Sequence, residues 1–533
     1  MALHHLGFAE IWLVFFNLVR RPGDRFEPQC LVARELVSTR DIVIERPALL
    51  LMRAPPYPVG AHSLFVTFEA NRALGCHLRL GWPVPQRVID LRVEFRNLTN
   101  GRTTPCGTGL VGALIWFGLG ASGVIGAGSS LGEGQRTLAA LQQLLSAMES
   151  TLDGQRALLR GRYMAAVARM EAAGTPIDAP LLGRLTRHWQ EVRRRLGARA
   201  SEAQPGSLAV GDDGRHRAPL RPFRSRTGRN QPSSHAFLFA GPRWFRHLVR
   251  PDPGMGLALI DWAQQEFGIA AALSGDSTMR AAYQSGDPYL AFARQANAVP
   301  TTGTPETHPL ERKLFKACAL GVQYGMGAKT LAQLTRTSEP EAQALLSSHR
   351  RTYPTFWQWS DAVVDSALLR GQMSSVFGWR VKVDAGCKPG FVRNFPMQSN
   401  GAEMLRLACS LVTEAGITVC APLHDALLIE APIDALDDAV KGTRKLMAEA
   451  SAIVLDDFEL RSEFNIVRYP HHIGSANGES LWREVECILG EYDARTGSGR
   501  HSPAHQRDET CPPTSSRPIS LYVSKEDLPD ASD

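Results

Sequence analysis

No membrane-length apolar run, no internal repeat and no metal-spaced cysteine pair occurs in these 533 residues. The nine cysteines (30, 76, 106, 318, 387, 409, 420, 487 and 511) are scattered, with no CxxC and no Cys/His cluster. That pattern excludes a zinc finger and a disulfide framework, and it implies a reducing cytoplasm. Residues 8–18 (FAEIWLVFFNL) are apolar but fall short of the ~20 residues a spanning helix needs, and they contain Glu10. They also lack the basic start and small-residue cleavage site of a signal peptide. Residues 103–132 carry no charge but are rich in Gly, Ser and Thr, which suits a buried helix followed by a glycine-rich loop. Neither sign of charge dominates. Lys and Arg total 59 against 53 Asp and Glu, a net charge of +6 that only mildly favours a polyanionic partner.

A chain of this size can hold several domains, and 44 % hydrophobic with 21 % charged residues is ordinary for a soluble globular enzyme. Residues 1–130 have short apolar runs broken by Pro and Gly (DIVIERPALLLM, SLFVTF), the pattern of a mixed α/β domain. Residues 136–200 read as helical, with arginines at 184, 187, 193, 194, 195 and 199. Residues 201–225 read as a polar linker, and from 226 to about 490 strands alternate with long helices. The remainder (TGSGRHSPAHQRDETCPPTSSRP and onward) has the composition of a disordered tail.

Three segments carry candidate chemistry. GLALIDWAQQEFGIAA predicts an apolar strand with Asp261 at its end and a helix beyond. ITVCAPLHDALLIEAP predicts strand, tight turn and strand, with His424 and Asp425 at the turn. An aspartate at a strand end can simply cap the next helix. Two brought together could instead hold two divalent cations about 4 Å apart. His-Asp also occurs in metal-dependent phosphohydrolases, but those set their ligands on helices and this segment reads as a hairpin. In ERKLFKACALGVQYGMG, Arg312, Lys316, Leu320 and Tyr324 recur every fourth residue, and Gly325 follows. At ~3.6 residues per turn they share one slowly drifting helix stripe. A solvated basic face explains this pattern, and so does a surface for a nucleoside triphosphate, with phosphates at the cations and base at the phenol.

In order and spacing, these segments resemble the polymerase half of family A DNA polymerases. DWAQQE (261–266) is similar to motif A, usually DYSQIE. RKLFKACALGVQYG is similar to motif B, R-x3-K-x7-YG, and LHDA (423–426) to motif C, usually HDE. TGRNQPSS from Thr227 resembles the TGR segment, and RNFPMQSNGAEM from Arg393 the NAPMQGTAAD segment. The match covers about residues 150–490. It implies an α/β multi-domain protein: a right-hand polymerase of palm, fingers and shortened thumb, preceded by a ribonuclease H-like, exonuclease-type domain. The expected divisions are 1–135 for the exonuclease-like domain, 136–225 for the thumb and linker, 226–490 for palm and fingers, and 491–533 for the tail.

The resemblance also implies roles. Asp261 and Asp425, with the Trp262 carbonyl, would bind two Mg²⁺ ions. Arg312 and Lys316 would bind the triphosphate, and Lys316 would offset charge on the leaving pyrophosphate. Leu320 would lie beside the sugar, with Tyr324 and Gly325 at the base. Glu266 would bar a ribose 2′-hydroxyl, which disfavours a single-subunit RNA polymerase. Arg229, Asn394, Gln398 and His424 would touch the primer–template. The implied partners are primer–template DNA and dNTPs, with no membrane and no obligate protein partner.

Three departures stand out. Ala426 replaces the last carboxylate of motif C, Gly268 stands where the family usually has Arg, and the stretch between the arginine-rich helix and Thr227 is short for a thumb. The N-terminal region resembles the family's 3′–5′ exonuclease domain. IWLVFFN (11–17) is similar to IWLVDFE, with Phe15 and Asn17 in place of its acids. Ala73 stands at the second motif, and Glu133 and Thr137 at the third. Such a set could not hold two metals, so proofreading is expected to be absent and Asp90 and Glu94 structural. A pseudoenzyme that binds DNA without extending it is the alternative.

Overall fold

The computed structural model describes residues 6–120, 131–200, 204–474 and 476–496. Among them, no helix is long and apolar enough to cross a membrane.

The N-terminal sheet comprises β1 (Glu10–Val19), β2 (Glu27–Glu35), β3 (Asp41–Glu45), β4 (Ser63–Thr67) and β5 (Val88–Asp90), in the order β3-β2-β1-β4-β5. β1 pairs antiparallel with β2 and parallel with β4. Its near-continuous apolar run follows from burial on both faces: Ile11 and Leu13 enter one core, Trp12, Val14 and Phe16 another. Helices α1 (Ala70–Arg79) and α2 (Leu91–Thr99) follow β4 and β5. Asp90 caps α2 by accepting from Arg92 N at 2.9 Å, and it also accepts from Ala70 N at 2.7 Å, tying the starts of both helices together. The uncharged stretch does form a short helix, Leu110–Trp116, that buries Gly112, Ala113 and Leu114; residues 121–130 lie outside the described ones.

Residues 136–225 do not gather into a separate lobe. Helix α3 (Leu131–Met148) packs on β1 and β2, so a boundary at 135 would cut through it. Helix α4 (Gly154–Ala173) buries Tyr163, Met164, Ala166, Val167 and Met170 and lies between α1 and β5 on one side and the helix Pro389–Glu414 and strand Thr418–Leu423 on the other. A helix apolar around most of its circumference belongs in a core, not on a projecting thumb. Contact with β5 is backbone-close: a Cβ added at Gly161 would stand 1.8 Å from the Val88 carbonyl oxygen. The preceding residue, Arg160, grips Glu94 of α2 through two bonds of 2.7 and 2.6 Å, with both side chains about 5 % exposed. α5 (Trp189–Leu196) carries part of the arginine-rich run. Three of those arginines pair with carboxylates: Arg194 and Arg195 bond Glu191, Arg195 also bonds Glu491, and Arg199 bonds Glu484.

The predicted linker is anchored rather than solvated. Leu220 and Phe223 are buried, and Arg217 reaches Asp213 at 2.6 Å and the Gly23 carbonyl at 3.1 Å. Polar composition misleads here because the arginines satisfy backbone carbonyls inside the fold.

The second sheet comprises β6 (Met255–Trp262), β7 (Thr418–Leu423), β8 (Ala426–Pro432) and β9 (Ser462–Arg468), in the antiparallel order β7-β8-β6-β9. Around it lie α6 (Gln265–Ser274), α7 (Pro288–Gln295), α8 (Pro309–Gln323), α9 (Pro389–Glu414), α10 (Leu436–Val454) and α11 (Ala476–Thr496). α11 runs past position 490, so the expected tail begins later; residues 497–533 lie outside the described ones.

Candidate active site

Asp261 is the penultimate residue of β6 and pairs in register with Ala426, the first residue of β8. Asp425 therefore stands one residue before that strand, and the Trp262 N–H donates to its carbonyl at 3.2 Å. The turn from β7 needs His424 in the left-handed region (φ 46°), which reverses the chain within two residues. Both aspartates thus reach the same end of the sheet. Sequence reasoning missed Glu463, which pairs with Asp261 from β9 and so shares its face. Even so, no cluster of three or more His, Cys, Asp or Glu able to hold a metal occurs among the described residues. The donor set is two carboxylates, all oxygen. That suits Mg²⁺, which binds through one or two carboxylates and completes its shell with water and substrate phosphates.

α6 begins just beyond Asp261, and its Glu266 is buried. One oxygen of Glu266 accepts from the Tyr324 hydroxyl at 3.0 Å and from the Gln398 amide at 2.7 Å; that amide also donates to Tyr324 at 3.2 Å. Three residues far apart in sequence, one each from the ends of α6 and α8 and one from α9, therefore meet in one hydrogen-bonded group. Gly325 makes this meeting possible. It has φ 69°, and a Cβ there would stand 2.8 Å from Gly390 Cα at the start of α9.

Along α8, Leu320 is buried and Lys316 lies 5.7 Å from the centre of the Tyr289 ring. Burial, and then the nearby Arg312 charge, lower the Lys316 pKa to about 8. Arg312 pairs through Nε with Asp287, the N-cap of α7. Sequence reasoning missed Asp287 and Tyr289, although an aspartate directly before a proline is a recognisable helix start.

Asn394 and Gln398 are buried on α9, and the Asn394 Oδ1 meets no hydrogen-bond donor among the described residues. Arg229 sits in a turn closed by its own N–H to Ser225 Oγ at 2.8 Å. Its Nε and one terminal nitrogen are buried without hydrogen bonds. Gly268 has a steric basis. A side chain there would begin 2.5 Å from Leu460 and 2.9 Å from Tyr283, so an arginine would require repacking.

In the N-terminal domain, Phe15 packs into the core beneath α3, which carries Glu133 and Thr137. Ala73 does not join them; it packs with Phe16 in the core on the other sheet face. The second-motif alignment therefore places its residue apart from the first and third. Glu94 and Asp90 serve the ion pair and the helix cap described above.

A sheet carrying two aspartates at one end, with a nearby helix bearing cations and a phenol, is the arrangement expected of a palm and fingers. Residues 240–467 match the family model of DNA polymerase family A. A DNA polymerase of Mycobacterium phage D29 is 32 % identical over 213 residues, 39 % of this chain and 34 % of the relative. The thermostable DNA polymerase I of Thermus caldophilus is 28 % identical over 220 residues, 38 % of this chain and 26 % of the relative. This chain therefore spans about a third or less of those two relatives' length. The polymerase domain of Pol1 from M. smegmatis, solved in complex with DNA primer-template and dNTP, has the same fold. Its TM-score is 0.70 at 18 % identity, covering 88 % of this chain and 97 % of that one.

Proposed function

We propose that the protein is a template-directed DNA polymerase that adds dNTPs to a primer 3′-hydroxyl and releases pyrophosphate. The observation that carries this reading is the convergence of Asp261 and Asp425 with α8 and the Glu266–Tyr324–Gln398 group. Asp261 and Asp425, with the Trp262 carbonyl, would hold two Mg²⁺ ions, which supply activation of the 3′-hydroxyl and charge neutralisation at the leaving oxygen. Arg312 and Lys316 bind the triphosphate and offset charge on departing pyrophosphate. Leu320 offers an apolar surface to the sugar, and Tyr324 and Gly325 form the platform for the base pair. Glu266, held by two donors, closes the space a 2′-hydroxyl would need. Arg229, Asn394, Gln398 and His424 contact backbone and minor-groove atoms, leaving sequence choice to base pairing.

The N-terminal exonuclease-like domain does not proofread, because Phe15, Asn17 and Thr137 supply no carboxylate for a metal. Primer extension with Mg²⁺ and dNTPs tests the polymerase reading, with Asp425→Ala as control. The wild type is expected to extend the primer and the variant to fall to background. Equal background from both would leave a DNA-binding module, the reading that the short stretch before Thr227 and the altered N-terminal motifs favour. A 3′-terminal mismatch should survive incubation without dNTPs; its metal-dependent removal would overturn the second statement.

A further inference from the structure

We propose that Asp287 is a positioning residue that aims the Arg312 guanidinium at the triphosphate, an inference that rests on the polymerase reading above. Asp287 divides its carboxylate between two tasks. Oδ1 accepts from Leu290 N at 3.1 Å and caps α7, while Oδ2 takes Nε of Arg312 on α8. The two helices are also packed face to face by Phe292 and Phe315, whose ring centres are 4.6 Å apart. The cap therefore fixes the carboxylate, and the carboxylate fixes the guanidinium.

The atom used decides the consequence. A guanidinium presents five donors in a planar fork. Engaging Nε leaves both terminal amino groups, the edge that grips phosphate oxygens in pairs. A carboxylate that held that terminal edge would compete with the nucleotide; this one restrains the side chain and leaves the edge available. The pair is also more than a solvated surface contact, since Asp287 and Arg312 side chains are only 23 % and 29 % exposed. Asp287 carries charge as well, and its negative field opposes the effect of Arg312 on the neighbouring Lys316.

Asp287→Asn separates the two tasks. Asparagine is as good an N-cap as aspartate, but it removes the charge that holds Arg312. We expect the dNTP KM to rise roughly 3- to 30-fold, the range of coupling in a close charged pair, with kcat within about twofold. Primer–template affinity and the unfolding midpoint should stay near wild type. Asp287→Ala, which also uncaps α7, should lower the unfolding midpoint in addition. In the Asp287→Asn/Arg312→Lys double variant, the two KM effects should fall short of additive. An unchanged or lower KM in Asp287→Asn would overturn the proposal, and so would a loss of kcat together with the unfolding midpoint. A wild-type chain that extends no primer would fail at the control, before any variant is compared, and would take this inference with it.

Discussion

Glu266 receives two donors on one carboxylate oxygen, so its position depends on residues at the ends of α8 and on α9 as much as on its own helix. Removing it opens space at the sugar and also releases Tyr324. Glu266→Ala should therefore raise incorporation of ribonucleotides relative to deoxynucleotides, by roughly 10- to 100-fold. Single-nucleotide extension with matched rNTP and dNTP series measures the ratio, and an unchanged ratio would remove Glu266 from sugar selection. Lys316 supplies the pH dependence. Its pKa is lowered by burial to about 8, so the ammonium is largely present at pH 7 and lost by pH 9. The dNTP KM should climb across that interval. Lys316→Arg, charged throughout, should flatten the climb.

At the scale of the element, α4 is the part whose sequence is most easily misread. Its length and helicity are legible, but its partners are not. Tyr163, Ala166, Val167 and Met170 make one stripe, but Ala157, Met164, Ala165 and Ala168 are buried on the other side, so no single buried face can be assigned from periodicity. Gly161 looks like a weak point in a helix until Val88 is placed against it. A valine there would drive α4 off β5, and Gly161→Val should destabilise the protein by at least about 1–3 kcal/mol, measured by urea unfolding. The motif segments were the opposite case. The β7–His424–Asp425–β8 hairpin and the α8 stripe could be drawn from sequence because strand alternation, turn chemistry and helical spacing are local properties. What joins them is not local: the pairing of Asp261 with Ala426, the Glu266–Tyr324–Gln398 group and the Asp287–Arg312 pair all span long sequence separations. Ala73 shows the reverse error. A motif aligned by neighbouring residues fell on the wrong face of a sheet, because α1 packs opposite α3.

Over the whole molecule, one continuous apolar core joins Trp12, Val14 and Phe16 of the first sheet with Leu257, Ile260 and Leu427 of the second. Buried polar contacts cross the same boundary: Arg160 of the intervening α4 holds Glu94, and Asn97 donates to the Gly378 carbonyl at 3.2 Å and accepts from Arg380 N at 2.7 Å. The two halves should therefore unfold together. A single denaturation transition, seen alike by tryptophan fluorescence and far-ultraviolet dichroism, is the expected result, and two separated transitions would contradict it. Deleting residues 1–150 would bare the buried side of α4 and should yield aggregated protein rather than a working polymerase half.

The placement of α4 also has an evolutionary consequence. A domain attached by a loose tether can be discarded once its chemistry decays. Here the first sheet forms one wall of the slot that holds α4, and α4 in turn packs against α9 and the hairpin strand β7. Under the proposed function, selection for nucleotide addition in the second half therefore acts on Val88, Glu94 and Trp12 of the first half, and preserves that half as scaffold.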